Sequence, residues 1–495
     1  MEGNQSVRAE ASARPGRAGH GSDATSPVTA PAKASARPGR IIDSPHPGSD
    51  VSRAPAAKYL DVSRAIFADL FGPADGRSFA VRYWDAFEEP GSGTAPFTLV
   101  LAWPGALRRL LLPPTELNAA EAYIYGHIDI EGDVEAAVAS LAPAFVGGVT
   151  PGRLAKLLGK LLALPTDRTE SERADGSTRR FRGRWRPAHS RERDRGAVRF
   201  HYDLGNEFFA LWLDPKMVYS CAYFASDGHD LGEAQEAKLD LVCRKLRLRP
   251  GERFLDIGCG WGGLILHAAE RYGVNATGIT LSERQAEGAR RRIAEAGLGD
   301  RCRVEVRDYR DLPAGTRYDK IASVGMVEHV GESQLPAYYD AVLRVLEPGG
   351  LFLNHGIVSL QPAHGTLARL KARLRRRLSF IEHYVFPDAQ LLGLMTVLAP
   401  GERAGFELRD VENLREHYAL TLRDWVRRLE ANRDDAVRLT SEETYRVWRL
   451  YMAGCAHQFA SGRAGVVQSL LAAPDRTGNV GLPLTRADLY RQTAP

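Results

Sequence analysis

The chain reads as an α/β protein built on a doubly wound parallel sheet, and three observations predict it. After Arg199, short apolar runs alternate with amphipathic helical stretches, the pattern of strands joined by crossover helices. The first of these runs, Phe254-Leu255-Asp256-Ile257, leads directly into Gly258-Cys259-Gly260-Trp261-Gly262-Gly263, a glycine-rich turn that opens a helix. The last is entered through Glu347-Pro348-Gly349-Gly350, a tight-turn sequence.

Residues 1–57 combine Ala, Pro, Arg, Gly and Ser with almost no large apolar side chain. Such a segment cannot bury enough surface to offset its ordering entropy, so a disordered tail is expected. An organellar transit peptide shares the Arg and Ser bias, but the amphipathic helix it needs is missing. A small α+β domain is expected over 58–165. It holds helix Val62–Leu70, strands Phe79–Trp84 and Phe97–Trp103, helix Glu116–Tyr125, and a further helix over Val134–Ala142. Nothing in it pairs a base with a nucleophile, and the polar residues around Asp129 and Asp133 read as turn and cap chemistry.

Residues 166–196 are polar, Arg-rich and mixed in charge, which suits a linker. Contact with anionic phospholipid headgroups is the functional alternative. No nucleic-acid recognition fold accompanies the arginines, so nucleic acid is not expected as a partner. Over 197–475, strands fit Arg253–Ile257, Ala276–Thr280, Arg303–Val306, Lys320–Val324 and Gly350–Gly356. Helices fit Leu264–Arg271, Glu283–Ala296 and Leu335–Val345. Residues 476–495 form a C-terminal tail.

Composition narrows the chemistry. The five cysteines are sparse, odd in number and without a C-x-x-C pair, which argues for a reducing cytosol and against a zinc site or disulfide framework. No apolar run reaches the ~18–20 residues of a membrane-crossing helix. The net charge of +5 is mild, but arginines cluster at Arg179–Arg199 and Arg369–Arg377. In the second cluster, Leu367, Leu370, Leu374 and Leu378 recur at spacings of three and four between Arg369, Lys371, Arg373, Arg375, Arg376 and Arg377. That pattern suits either a helix lying on an anionic bilayer or a core-facing stripe with a solvated basic face.

Ligands of doubly wound sheets bind beyond the carboxyl ends of the strands, which here carry Gly258, Thr280, Asp308, Glu328 and His355. A dinucleotide site wants an acid at the end of the second strand. This strand ends instead in Thr280-Leu281-Ser282-Glu283-Arg284-Gln285. With Asp256 beside the glycines, that favours an S-adenosylmethionine (SAM) pocket over a nicotinamide one.

Several segments resemble the cyclopropane-fatty-acyl-phospholipid synthase family, which includes the mycolic acid cyclopropane synthases. They are HYDLGNEFFALWLDPKMVYSCAYF (201–224), LDIGCGWGG (255–263), GITLSERQ (278–285), VGMVEHVG (324–331), NHGI (354–357), YVFPDAQL (384–391), YALTLRDW (418–425) and GCAHQF (454–459). The resemblance spans roughly 197–470, and the small N-terminal domain is similar to that of the phospholipid-acting bacterial members. It implies a Rossmann-like class I SAM-dependent methyltransferase that transfers a methyl to the double bond of an unsaturated acyl chain. A bound bicarbonate then takes a proton from the added methyl and the ring closes. A neighbouring outcome, a methylene- or methyl-branched chain, begins with the same transfer and shares these motifs. An inactive lipid-binding relative is the third reading, and the intact Glu328, His355 and Tyr418 argue against it.

Residue by residue, the resemblance implies an anion site at Cys221, Glu328, His355, Ile357 and Tyr418. Cys221 and Ile357 offer backbone amides, His355 and the Tyr418 hydroxyl donate directly, and Glu328 accepts the hydrogen of the bicarbonate hydroxyl. For SAM it implies Tyr219 and Ser220, then Asp256, Gly258, Gly260 and Gly262 at the amino-acid portion. Thr280, Ser282 and Gln285 fall at the ribose, and Asp308 and Tyr309 at the adenine. Cys455 matches a cysteine once regarded in the family as a nucleophile, and it reads here as a small buried apolar residue. The substrate class implied is unsaturated phospholipid in an anionic membrane, met from the cytoplasmic side as a peripheral protein. A homodimer is compatible with these motifs but not specified by them.

Overall fold

A computed structural model describes residues 53–142, 151–166, 189–226, 228–362 and 379–490. The Arg-rich cluster at 369–377, most of the expected linker and residues 1–52 of the expected tail lie outside these residues, while 53–57 of that tail open a helix. The chain from Ser52 onward forms one compact unit.

Helix α1 (Arg53–Phe71) leads into strands β1 (Ala80–Arg82), β2 (Glu88–Glu89) and β3 (Phe97–Leu101), helix α2 (Glu116–Ile124), strand β4 (Ile128–Gly132) and helix α3 (Val134–Leu141). The four strands pair in the order β2-β1-β3-β4. Along β3, Phe97, Leu99 and Leu101 are buried and their neighbours half-buried, the period-two pattern of a strand with one face in a core. The expected strand Phe79–Trp84 contracts because the Tyr83 amide bonds Phe87 O at 2.8 Å and turns the chain back into β2. Asp133 caps α3 by accepting the Ala136 N–H, as its position suggests.

The second half supplies α4 (Arg191–Tyr202), α5 (Leu231–Leu246), β5 (Arg253–Ile257), α6 (Gly263–Tyr272), β6 (Asn275–Thr280), α7 (Glu283–Glu295), β7 (Cys302–Val306), β8 (Tyr318–Val324), α8 (Leu335–Val345) and β9 (Leu346–Ser359). After these come β10 (Glu407–Asn413), α9 (Arg415–Ala431), α10 (Glu442–Ala460) and β11 (Ala464–Ala472). Five strands and three helices match the expected ones to within a few residues. The largest change is β9, which starts at Leu346 because the Glu347–Gly350 turn is absorbed as a register shift against β8.

The strand order is β10-β11-β9-β8-β5-β6-β7. Strands β5 to β9 are parallel, but β11 runs antiparallel to both β9 and β10, so the sheet is mixed rather than wholly parallel. The cause is where α10 ends. Leu360 N bonds Arg463 O at 3.1 Å, so the chain re-enters the sheet beside the carboxyl end of β9 and can only run back down it.

One apolar cluster joins the N-terminal sheet to helices of the second half, from Phe97 and Leu99 through Phe208 and Trp212 to Trp425 and Trp448. The boundary expected near residue 165 therefore divides the sequence without dividing the core. Two buried arginines of α10 reinforce the join. Arg446 reaches Tyr123 O at 2.9 Å and Asp129 Oδ2 at 3.0 Å. Arg449 donates to the Tyr123 hydroxyl at 3.0 Å, to Ile130 O and Gly132 O at 3.1 Å, and to Glu430 at 2.7 Å. Replacing Arg449 with Met strands these acceptors and is expected to cost about 2–4 kcal/mol. The exposed Arg438→Met change should cost ~0.5 kcal/mol or less. Urea unfolding midpoints of the two variants at unchanged slope check the difference.

Candidate active site

The sheet order reverses between β5 and β8, the place where an α/β sheet opens a crevice at its carboxyl edge. A cavity lies there, walled by Asp256, Gly258, Gly260, Thr280, Gln285, Asp308 and Tyr309 from the strand ends and by Tyr219, Ser220 and Lys238 from the opposite side. The glycine turn is pinned to β6, since Gly258 N and Cys259 N both donate to Ile279 O, at 2.9 and 3.0 Å. A Cβ on Gly260 meets no protein atom within 4 Å, and its φ of +54° suits glycine. That backbone is bare where it faces the cavity.

Asp256 is buried, and its Oδ1 has no partner among the described residues. Burial pushes its carboxyl up to about 7, with Lys238 pulling the other way. Lys238 is buried too and donates to Ser220 Oγ at 2.7 Å. Burial lowers its ammonium to about 8. Thr280 donates its hydroxyl to Gln285 Oε1 at 2.8 Å, which sets the Gln285 side chain at the cavity wall. Asp308 is held by Arg310 through bonds of 2.8 and 2.6 Å. Burial would raise its carboxyl, but the Arg310 bonds prevail and lower it.

Two expected SAM contacts do not reach the cavity wall. Gly262 instead starts α6 in the left-handed region, and a Cβ there would stand 3.2 Å from Ala289. Ser282 caps α7, accepting the Gln285 N–H at 3.3 Å. Both therefore shape the helices that carry the site rather than line it.

The residues expected at the anion gather next to this cavity. Glu328 sits in a single helical turn after β8 and is buried. Its Oε1 accepts the Ile357 N–H at 2.9 Å, whereas its Oε2 is buried with no partner among the described residues. The Ile357 amide, expected to face an anion, is thus committed to Glu328. Burial pushes the Glu328 carboxyl up to about 7. His355 is likewise buried, with Nε2 unpartnered among the described residues. Burial, then Lys238 and Lys245, drive its pKa well down, so the ring is neutral. The Tyr418 hydroxyl is kept protonated by burial and by Tyr219, Cys221, Glu328 and Cys455 around it. Cys221 is tied to the start of α9, since Ala222 N bonds Thr421 Oγ1 at 3.0 Å. Burial holds the Cys221 thiol protonated and pushes that of Cys455 up to about 12, so neither is a ready nucleophile.

An aromatic cluster borders the cavity. His201 stacks on Phe386 at 4.1 Å and on Tyr219 at 5.6 Å, and Tyr219 lies 5.2 Å from Trp425. Burial brings His201 down to about 3 and His329 to about 4, so both line the cavity as neutral rings.

Sequence reasoning missed Lys238, His201, His329, Trp261 and Phe386. Lys238 had a readable signal: it falls on the inward face of α5 with Leu231, Gln235, Leu239 and Val242. His201, Trp261, His329 and Phe386 lie in motifs of the resemblance, but their convergence at one cavity depends on how those segments meet in the fold.

Backbone open to the cavity at Gly260, an unpartnered buried Asp256 oxygen and the polar side chains of Thr280 and Gln285 fit a ligand with amino-acid, ribose and base portions. Fold and site together define a class I SAM-dependent methyltransferase. The family model for mycolic acid cyclopropane synthetase matches residues 189–469, and the chain belongs to that family. It is 37% identical over 411 residues to a probable fatty acid methyltransferase of Pseudomonas putida, covering 83% of this chain and 96% of the relative. Against cyclopropane mycolic acid synthase 1 of Mycobacterium tuberculosis it is 38% identical over 278 residues, covering 55% and 94%. The crystal structure of mycolic acid cyclopropane synthase CmaA1 complexed with SAH and CTAB aligns with a TM-score of 0.52 at 36% identity, over 56% of this chain and 97% of that one. The protein is accordingly an enzyme of SAM-dependent lipid acyl-chain modification.

Proposed function

We propose that the enzyme methylates the double bond of unsaturated phospholipid acyl chains and closes a cyclopropane ring, with bicarbonate held at Glu328, His355 and Tyr418. The observation that carries this reading is the pair of buried, unpartnered polar atoms, Glu328 Oε2 and His355 Nε2, beside a cavity suited to SAM. An unpartnered buried polar atom is costly, and a small polar guest would satisfy both.

SAM supplies an electrophilic methyl on a sulfonium, and bicarbonate supplies a base for the proton released. The protein's own part is to align, shield and leave the cation unquenched. An alkene is a weak nucleophile, so the reacting atoms must be held in near contact. Tyr219, Phe386, Trp425 and the neutral His201 exclude water and present π faces to developing positive charge. The neutral state of His201 and His329 matters, because a protonated ring would oppose that charge.

The membrane approach belongs to the same proposal. Among the described residues no helix is long and apolar enough to cross a membrane. The residues flanking segment 363–378 leave Leu360, Leu391 and Met395 39, 47 and 67% exposed. With the arginines between them in sequence, they suit a peripheral surface on anionic phospholipid at the cytoplasmic face.

The Pseudomonas relative favours one second reading, a fatty-acid methyltransferase giving a methylene- or methyl-branched chain. Expression in a bacterium lacking such enzymes, followed by lipid mass spectrometry with fragmentation, decides between them. The proposal expects phospholipid acyl chains one CH2 heavier with a saturated ring at the former double bond. A branched or methylene-bearing chain selects the second reading, and unaltered lipids reject both.

A further inference from the structure

A row of polar residues crosses the antiparallel side of the sheet behind the anion site. His355 on β9 pairs directly with Gln468 on β11, and Gln468 pairs directly with Glu412 on β10. Directly opposed residues share a face of the sheet. Over this row α5 lays Lys245, whose ammonium bonds both Glu412 and, at 2.8 Å, Gln468 Oε1. His355, Gln468 and Lys245 are each at most 2% exposed. Gln468 Nε2 stands 3.2 Å from His355 Nδ1.

These contacts leave little freedom. An ammonium only donates, so it must face the amide oxygen of Gln468, and this fixes which end of the amide turns to the imidazole. The amide nitrogen also only donates, so His355 Nδ1 must accept. The ring is neutral, kept so by burial and by Lys238 and Lys245 nearby. Its single proton therefore resides on Nε2, the atom left without a partner.

We infer that Gln468, oriented by Lys245, is a positioning residue that locks His355 in the Nε2–H tautomer, so that the imidazole faces the reaction site as a donor. The purpose assigned to that donor rests on the proposed anion site, but the tautomer is observable without it. The arrangement matches the need of an anion, which an acceptor nitrogen would repel. It also explains a glutamine in the interior of β11, where every other residue but Ser469 is Gly, Ala, Val or Leu.

Nitrogen-15 NMR of the full-length, histidine-labelled protein tests this, with the His355 signals assigned by their loss in His355→Asn. The wild type is expected to show a protonated Nε2 and an unprotonated Nδ1. Gln468→Glu places beside Lys245 a carboxylate that can only accept, so the proton should move to Nδ1. Turnover should then fall about 10²-fold while SAM affinity stays at the wild-type value. Lys245→Met releases the amide and should give a mixture of tautomers, which keeps the test alive if Gln468→Glu does not fold. A wild-type ring protonated on Nδ1, or an unchanged tautomer in the variant that folds, overturns the inference. The expected tautomer reversal with unimpaired turnover would leave the tautomer assignment standing and count against the anion site instead.

Discussion

Glu328→Gln is expected to lower turnover by about 10²-fold or more while SAM affinity stays unchanged. The carboxyl group lies outside the wall of the SAM cavity, so its loss spares the cofactor contacts. Its Oε1 must keep accepting from Ile357 N, which forces the new amide NH2 into the position of Oε2. An atom able to accept or carry a proton becomes a fixed donor, and the proposed bicarbonate hydroxyl loses its acceptor. The same substitution has a signature in stability. Burial raises the folded carboxyl from 4.5 to about 7, so the native state holds a proton that the unfolded chain has already released between those values. Glu328's contribution to wild-type stability should therefore fall as pH rises from about 4.5 to 7, by about 3 kcal/mol, and level off above. The Gln variant lacks this slope. Denaturant titrations of both proteins between pH 5 and 8, beside single-turnover rates and calorimetric SAM binding, separate the catalytic from the electrostatic effect.

Gly260→Val is expected to abolish SAM binding. The Cβ of the added side chain meets no protein atom within 4 Å, at a residue that lines the cavity. What it removes is the close approach of backbone to ligand. The positive φ adds strain, about 1–2 kcal/mol for a side chain in the left-handed region. Gly297→Val carries the same strain at φ +67° on an exposed turn, with no neighbour within 4 Å and no place in the cavity. Calorimetry should show wild-type SAM affinity for the Gly297 variant and none for the Gly260 variant. Equal affinity in both would detach the glycine turn from the site.

The sequence made the parallel half of the sheet legible because each of its strands is a short apolar run closed by a turn signal. Strand β11 carries a stronger apolar run, Ala464–Ala472, yet its direction depends on where α10 delivers the chain. Strand β10 alternates between exposed and half-buried positions, but Asp410 and Glu412 stand on its inner side and Val411 on its outer, so its sequence shows no apolar alternation. At the site, Asp256, Gly258, Gly260, Thr280 and Gln285 could be read from the strand-end rule alone. Glu328 and His355 also stand at strand ends, but their anion role, and Tyr418 altogether, needed the family resemblance, since the three come from segments that only the fold unites. The bond from the Ile357 amide to Glu328 and the Gln468–His355 contact were beyond either route. They are backbone and cross-strand geometry, set by the register of β9 against its neighbours.

Transfer from SAM carrying a fully deuterated methyl to vesicles of unsaturated phospholipid, read by mass spectrometry of the released acyl chains, tests the account most directly. The proposal holds that a base beside Glu328, His355 and Tyr418 removes a proton from the methyl just added. The product should then retain two of the three deuterons, and Glu328→Gln should slow its formation without changing that count. Retention of all three deuterons would place the lost proton elsewhere on the chain and contradict the anion site at these residues.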